Sequence, residues 1–144
     1  YDLQPKMSAH ELTNKVMNHI ELNYPDFVCV NYANPDMVGH TGVFSAIEKA
    51  CETVDTYTEN LVELAKKMDY KILIIADHGN ADKAINADGS PNTAHTTNLV
   101  PVYLLNSDKK INDGKLADIA PTILSLIGID QPQEMDGISL LQTD

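Results

Sequence analysis

The chain has 144 residues, 43% of them hydrophobic, and a formal net charge of −11. This length allows one hydrophobic core and is typical of a single domain. The negative charge argues against binding to nucleic acids or anionic membranes, because both require a basic surface. All ten basic residues are lysines, so the chain lacks the arginine fork that usually binds a small phosphorylated acid.

The first half of the chain predicts two helices with a strand between them. Ser8–Glu11 has the pattern of a capping box, and apolar residues then recur at helical spacing to about Leu22. Phe27–Tyr32 is an apolar run of the kind found in strands that are covered on both faces. After a polar loop, a long amphipathic helix is predicted from about Val43 to Met68.

The second half predicts two more strands and a helix. Ile72–Ala76 and Val100–Leu105 are the strands, and Pro101 favours an edge position or a late start for the latter. Ala117–Ile127 is predicted to be a helix that Gly128 ends. This order of elements is typical of a layered α/β domain with a mainly parallel sheet. Because three strands make a small sheet, we interpret the chain as a piece of a longer polypeptide.

Five acidic or imidazole side chains lie at the ends of the predicted strands. Asp36 and His40 follow the first strand, Asp77 and His78 follow the second, and His95 precedes the third. The carboxyl ends of strands are where open α/β sheets bind ligands. Carboxylates mixed with imidazoles suit Mn²⁺ or Zn²⁺, and five ligands exceed the need of one ion. A two-metal site for phosphate chemistry is the leading hypothesis.

Structural roles compete with this hypothesis. Asp36 could be a turn residue, Asp77 could cap a turn, and a single loop histidine is usually structural. His10 and His19 fall on the first predicted helix, where packed or solvent-facing roles are expected. No serine lies beside the ligand loops at a strand-to-helix turn, so the chain offers no candidate nucleophile.

Three longer stretches that contain these side chains resemble one enzyme family. They are Asn31–Gly42, Ala76–Asp82 and Ala94–Pro101, and the segments Tyr1–Pro5 and Leu116–Leu124 add to the likeness. The chain resembles, over essentially its whole length, the cofactor-independent (2,3-bisphosphoglycerate-independent) phosphoglycerate mutases of the alkaline-phosphatase superfamily.

The resemblance implies roles for all five side chains. Asp36, His40 and His95 would hold one Mn²⁺, and Asp77 with His78 would help to hold a second. In the family an aspartate and a nucleophilic serine from the N-terminal end complete the second site, and most substrate-binding arginines lie in a separate transferase domain. Residues 1–144 would therefore be the C-terminal portion of the metal-binding phosphatase domain, an incomplete three-layer α/β/α fold like that of alkaline phosphatase.

The implied reaction is the Mn²⁺-dependent interconversion of 3- and 2-phosphoglycerate through a phosphoserine. This chain would supply metal ligands and be inactive by itself. A phosphopentomutase, a related hydrolase or a non-catalytic metal-binding module is the alternative. Cys29 and Cys51 form no CxxC pair, which favours buried, reduced thiols in a cytoplasmic protein. We also expect incomplete burial of the strands to promote self-association.

Overall fold

The computed structural model describes residues 1–142, which divide into two compact units. The first unit contains residues 1–68 and 78–100, and the second contains residues 69–77 and the chain from residue 101 onward. The elements are α1 Ala9–Asn23, α2 Asn34–Gly39, α3 Phe44–Lys67, β1 Ile72–Ile75, β2 Val102–Leu105 and α4 Ile119–Ile127, with 3-10 turns at Ala81–Lys83 and Leu116–Asp118. No helix within residues 1–142 is both long and apolar enough to cross a membrane.

The first unit is built around α3, against which α1 and α2 pack. Val38 of α2 is fully buried and belongs to one cluster with Ala46, Ile47 and Ala50 of α3. Small residues at helical spacing on α3 allow this close approach. Pro35, near the first position of α2, suits a helix start because its ring fixes φ and its missing N–H is not needed there. The short α2 is therefore held firmly by the long α3.

Two side-chain contacts fix the chain that leads into α2. Asn34 Nδ2 donates to the carbonyl oxygens of Pro5 and Lys6, both at 2.9 Å. Thr13 Oγ1 on α1 hydrogen-bonds the hydroxyl of Tyr32. Asn34 and Thr13 are both buried, so water could not easily replace these bonds.

The predicted helices form, with small differences at their ends. The capping box at Ser8 does not form, since the Ser8 backbone is not extended and its side chain makes no capping hydrogen bond. Tyr24, with a φ of 48°, ends α1 in the left-handed conformation. Gly128 ends α4 in the same conformation, with a φ of 73°, as the sequence predicted.

The prediction of a buried strand at residues 27–32 is wrong for the part of the chain that the structure describes. This segment belongs to neither strand, and its side chains alternate between exposed and half-buried. A strand requires a hydrogen-bonded neighbour, which an apolar sequence alone cannot supply. Cys29 is therefore exposed, as is Cys51 on α3, and both thiols are free, so their predicted burial is also wrong.

The second unit contains the two strands, which pair antiparallel. Ile72 is opposite Leu105 and Ile75 is opposite Val102. β2 begins after Pro101, in agreement with the predicted late start. No residue of either strand is fully buried, and Ile75 is 41% exposed. The chain has an α/β fold, but the predicted mainly parallel, three-layer arrangement is not confirmed, because the described strands provide one antiparallel pair.

A buried polar network joins α4 to the C-terminal segment. The Asp118 carboxylate accepts hydrogen bonds from the backbone N–H groups of Ile138 at 3.0 Å and Lys115 at 2.9 Å. These bonds hold the pKa of Asp118 below its usual value. Thr122 Oγ1 donates to the Asp118 carbonyl at 2.7 Å and accepts from the Leu140 N–H at 2.8 Å. The network thus ties residues 138–140 to the start of α4.

Candidate metal centre

The short helix α2 carries the first two candidate ligands. Asp36 lies in its first turn and His40 directly follows its last residue, so one helical turn places both on the same face. His40 Nε2 is 3.2 Å from Asp36 Oδ1. His95, from the long loop before β2, brings its Nε2 to 3.0 Å from Asp36 Oδ1 and 3.2 Å from His40 Nε2. Three potential ligand atoms therefore converge within 3.2 Å.

His78 joins this cluster from a second direction. Its Nε2 is 3.9 Å from Asp36 Oδ1, and its ring stacks on that of His95 with centroids 3.8 Å apart. One ligand atom each from Asp36, His78 and His95 lie within 4.8 Å of one another. The four side chains are 30% to 50% exposed, so an ion and a substrate could reach them.

Hydrogen bonds orient two of the imidazoles. His40 Nδ1 lies 2.7 Å from the carbonyl oxygen of Thr93. A carbonyl can only accept, so Nδ1 carries the proton and Nε2 of neutral His40 presents a lone pair to the cluster. His78 Nδ1 is similarly placed 3.3 Å from the carbonyl of Gly79. Such outer contacts are typical of metal-binding histidines.

Asn80 holds the carboxylate at the centre of the cluster. Its Nδ2 donates to Asp36 Oδ1 at 2.8 Å and lies 3.4 Å from the Asp36 carbonyl oxygen. Burial raises the pKa of Asp36, but the hydrogen bond from Asn80 and the nearby imidazoles of His40, His95 and His78 outweigh it and lower that pKa. Asp36 is therefore kept in the ionised form that binds cations.

A second set of contacts holds the loop of His95 in place. Asp82 accepts hydrogen bonds from Thr96 Oγ1 at 3.0 Å and from Asn98 Nδ2, and the pKa of Asp82 is lowered chiefly by the Asn98 bond. The Thr96 N–H donates to the Gly79 carbonyl at 2.9 Å. A Cβ at Gly79 would lie 2.1 Å from Thr96 Oγ1, so only glycine allows this approach. These bonds bring His95 beside the histidine that precedes Gly79.

The structure brings four of the five predicted ligands together. Asp36, His40 and His95, expected to hold one ion, converge. His78, expected to serve a second ion, also lies against Asp36. Asp77 belongs to the second unit, whereas the four clustered side chains belong to the first. Its role as a metal ligand therefore stays a prediction.

The structure also separates ligand candidates from structural histidines and adds residues that the sequence did not single out. His10 and His19 lie on α1 and hydrogen-bond asparagines one turn later. Asn80 and Thr93 hydrogen-bond members of the cluster, and Asp82 hydrogen-bonds Thr96 next to His95; all three were missed. Only Asn80 and Asp82 had a sequence signal, since both fall within the Ala76–Asp82 stretch.

The donor set of the cluster fits a divalent metal ion. His40 Nε2 presents a lone pair beside the anionic Asp36 oxygen, an arrangement that a cation would stabilise. Two or three imidazoles with a carboxylate suit Mn²⁺ or Zn²⁺. Asp36, His40 and His95, with His78 beside them, are the residues that would hold the ion.

Comparison with known proteins identifies the family of the chain. The model of the metalloenzyme superfamily matches residues 1–131. The chain is 56% identical to a 2,3-bisphosphoglycerate-independent phosphoglycerate mutase of Parabacteroides distasonis and 51% identical to one of Bacteroides thetaiotaomicron, in each case over 99% of the chain. It spans only 28% and 29% of those proteins.

A solved structure of a phosphoglycerate mutase has a similar fold. The fold matches that of Leishmania mexicana phosphoglycerate mutase, described at low cobalt concentration, with a TM-score of 0.88 and 25% identity. The match covers 100% of this chain and 30% of that one.

Proposed function

Because the chain belongs to the metalloenzyme superfamily, we propose that it is part of a phosphoglycerate mutase that requires divalent metal ions. The convergence of Asp36, His40 and His95 is the observation that carries the proposal. The similarity to 2,3-bisphosphoglycerate-independent mutases supports phosphoglycerate as the substrate. Because the chain spans less than a third of those relatives, the nucleophilic serine and the arginine anchors would lie elsewhere in a longer protein.

The finer assignments are part of the same proposal. Asp36, His40 and His95 hold one Mn²⁺, and Asp77 with His78 contributes to a second ion. Residues 1–144 form the C-terminal portion of the phosphatase domain, and the rest of the longer protein completes a three-layer α/β/α fold with a mainly parallel sheet. The reaction is a glycolytic step in the cytoplasm, the interconversion of 3- and 2-phosphoglycerate.

The residues of this chain have a defined share in that chemistry. Asp36 stays ionised because the Asn80 hydrogen bond and the surrounding imidazoles lower its pKa. His40 keeps its Nε2 lone pair directed at the cluster because Nδ1 is engaged by Thr93. A bound divalent ion supplies Lewis-acid stabilisation of negative charge on phosphoryl oxygens. Both ligand types bind metal only when deprotonated, so we expect affinity to fall as the pH is lowered.

The test combines metal binding with turnover. Calorimetry at neutral pH should show weak to moderate Mn²⁺ binding by the 144-residue chain, and His40→Ala should abolish or strongly weaken it. His19→Ala is the matched control, because His19 is an exposed histidine on α1 that hydrogen-bonds Asn23 of the same helix. Equal binding by wild type and His40→Ala, or no binding by either, contradicts the proposal.

Turnover separates a mutase from a metal-binding module. The 144-residue chain alone should not interconvert phosphoglycerates, whereas a longer protein that contains it should. In that longer protein, Asp36→Asn should lower the rate by orders of magnitude without loss of helix content. A longer protein that binds Mn²⁺ but turns over no phosphoglycerate would favour a related phosphatase, a phosphopentomutase or a non-catalytic module.

A further inference from the structure

Asn80 is a buried polar residue that is only half satisfied. It is 6% exposed, and its Nδ2 donates to Asp36 Oδ1 at 2.8 Å. Its Oδ1 accepts no hydrogen bond from any residue within 1–142. A buried acceptor without a partner is unfavourable, and such groups are retained where another requirement outweighs the cost.

The orientation of the Asn80 amide follows from its neighbours. The Asp36 carboxylate oxygen and the Asp36 carbonyl oxygen can only accept hydrogen bonds, so the NH₂ group must face them. Rotating the amide by half a turn would set Oδ1 against a carboxylate. The unpartnered oxygen is thus the consequence of directing the donor at Asp36.

Gly39, at the end of α2, provides the space for this amide. A Cβ at Gly39 would lie 2.1 Å from Asn80 Oδ1 and 2.8 Å from its Cγ. Gly39 is itself buried and does not have a positive φ, so its backbone would accept alanine. The absence of a side chain at this position therefore serves the contact with Asn80, not the backbone of the helix.

We propose that Asn80 is a positioning residue that holds the Asp36 carboxylate in the orientation needed for metal binding, and that Gly39 is required to admit it. This inference rests on the proposed function, since it takes Asp36 to be a metal ligand. The contact joins the segment that follows His78 to the helix that carries Asp36 and His40. Asn80 thereby sets the carboxylate relative to the imidazoles before an ion arrives.

The competing explanation is that Asn80 has a purely structural role. Asn34 provides a control for it. Asn34 lies on the same helix, is 3% exposed and donates through Nδ2 to two backbone carbonyls. Its bonds go to Pro5 and Lys6, not to the cluster. Asn34→Ala therefore removes a comparable buried amide without touching a candidate ligand.

The test is a double-mutant cycle of Asn80→Ala and Gly39→Ala in the 144-residue chain, with Asn34→Ala as the control. Mn²⁺ affinity is measured by calorimetry, and the ligand field is followed by the visible absorption of bound Co²⁺. Loss of a hydrogen bond to a metal ligand typically weakens affinity about 10- to 100-fold, and we expect this loss for Asn80→Ala. Gly39→Ala should act similarly, although alanine favours a helix, because it displaces the amide. Both should alter the Co²⁺ spectrum.

The double variant distinguishes positioning from general damage. With alanine at position 80 the added methyl at Gly39 has room, so the double variant should bind Mn²⁺ no more weakly than Asn80→Ala alone. Asn34→Ala should lower thermal stability but keep an affinity within about threefold of wild type. If Asn80→Ala does not fold, Gly39→Ala alone still decides the matter.

Three results would overturn the proposal. These are wild-type affinity in Gly39→Ala and Asn80→Ala, additive losses in the double variant, or a loss in Asn34→Ala as large as that in Asn80→Ala. A wild-type chain that binds no Mn²⁺ would overturn the metal-binding function as well, and is thereby distinguished from failure of the positioning role alone.

Discussion

Replacement of Thr122 by valine tests the polar network of the second unit. Thr122 is fully buried and its hydroxyl accepts the backbone N–H of Leu140, which is 3% exposed. Valine keeps the branched shape and nearly the same helix propensity but cannot accept a hydrogen bond. The Leu140 N–H would then be buried without a partner, which costs about 1–3 kcal/mol. We expect the free energy of unfolding to fall by about 2 kcal/mol, or Tm by about 4–8 °C.

The measurement is urea unfolding followed by far-ultraviolet circular dichroism, because the chain has no tryptophan. Thr56→Val is the matched control. Thr56 also donates to the carbonyl four residues before it, at 2.8 Å, but it is exposed on α3. This control should change stability by no more than about 0.5 kcal/mol. Equal losses in Thr56→Val and Thr122→Val, with unchanged hydrogen exchange of the Leu140 amide, would refute the argument.

Three further predictions concern the site, the acid response and association. Gly79→Ala should weaken Mn²⁺ binding about tenfold, since the added methyl must displace Thr96 and overpacking of this kind costs about 1–3 kcal/mol. Wild-type affinity in calorimetry would mean that the contact between Gly79 and Thr96 does not position His95. Because hydrogen bonds lower the pKa of Asp118, its carboxylate stabilises the fold above about pH 4 and loses this effect as the pH falls through the lower native pKa. The unfolding free energies of wild type and Asp118→Asn should therefore differ at neutral pH and converge as the pH is lowered into the acidic range, and a constant difference would contradict the assignment. Leu3 and Leu99 are 95% and 101% exposed, so light scattering over a dilution series should detect self-association, and a strictly monomeric chain would count against it.

Helices α1, α3 and α4 and the two paired strands could be predicted from the sequence because their signals are local, whereas α2 formed in a stretch that was predicted to be a polar loop. The apolar spacing of α3 is repeated over six turns, and its predicted ends lie one residue outside the observed Phe44–Lys67. Gly128 marked the end of α4. The prediction of a strand at residues 27–32 was wrong because strand pairing depends on a neighbouring strand, which is not encoded in the segment itself.

The candidate ligands were predictable from the sequence, but the groups that hydrogen-bond and orient them were not. Asp36, His40 and His95 are residue types with few other uses in this combination beside predicted strands. These orienting groups act through contacts that join positions far apart in the chain. Asn80 is 44 positions from Asp36, and the carbonyl that orients His40 belongs to a residue 53 positions away. A carbonyl is present at every residue, so its selection for such a role leaves no mark in the sequence.

Asp36 and His95 are 59 positions apart in the chain, and their convergence makes the cluster a potential crosslink. An ion held by both would bind only the folded chain and so stabilise it by mass action. Its removal would leave the segment between Gly79 and His95 held by hydrogen bonds without the ion, so that the segment would open more often; Lys83 is the only site for trypsin within it. Cleavage after Lys83 that is slow with Mn²⁺ and fast with a chelator would report release of the crosslink directly on the polypeptide, with no substrate present.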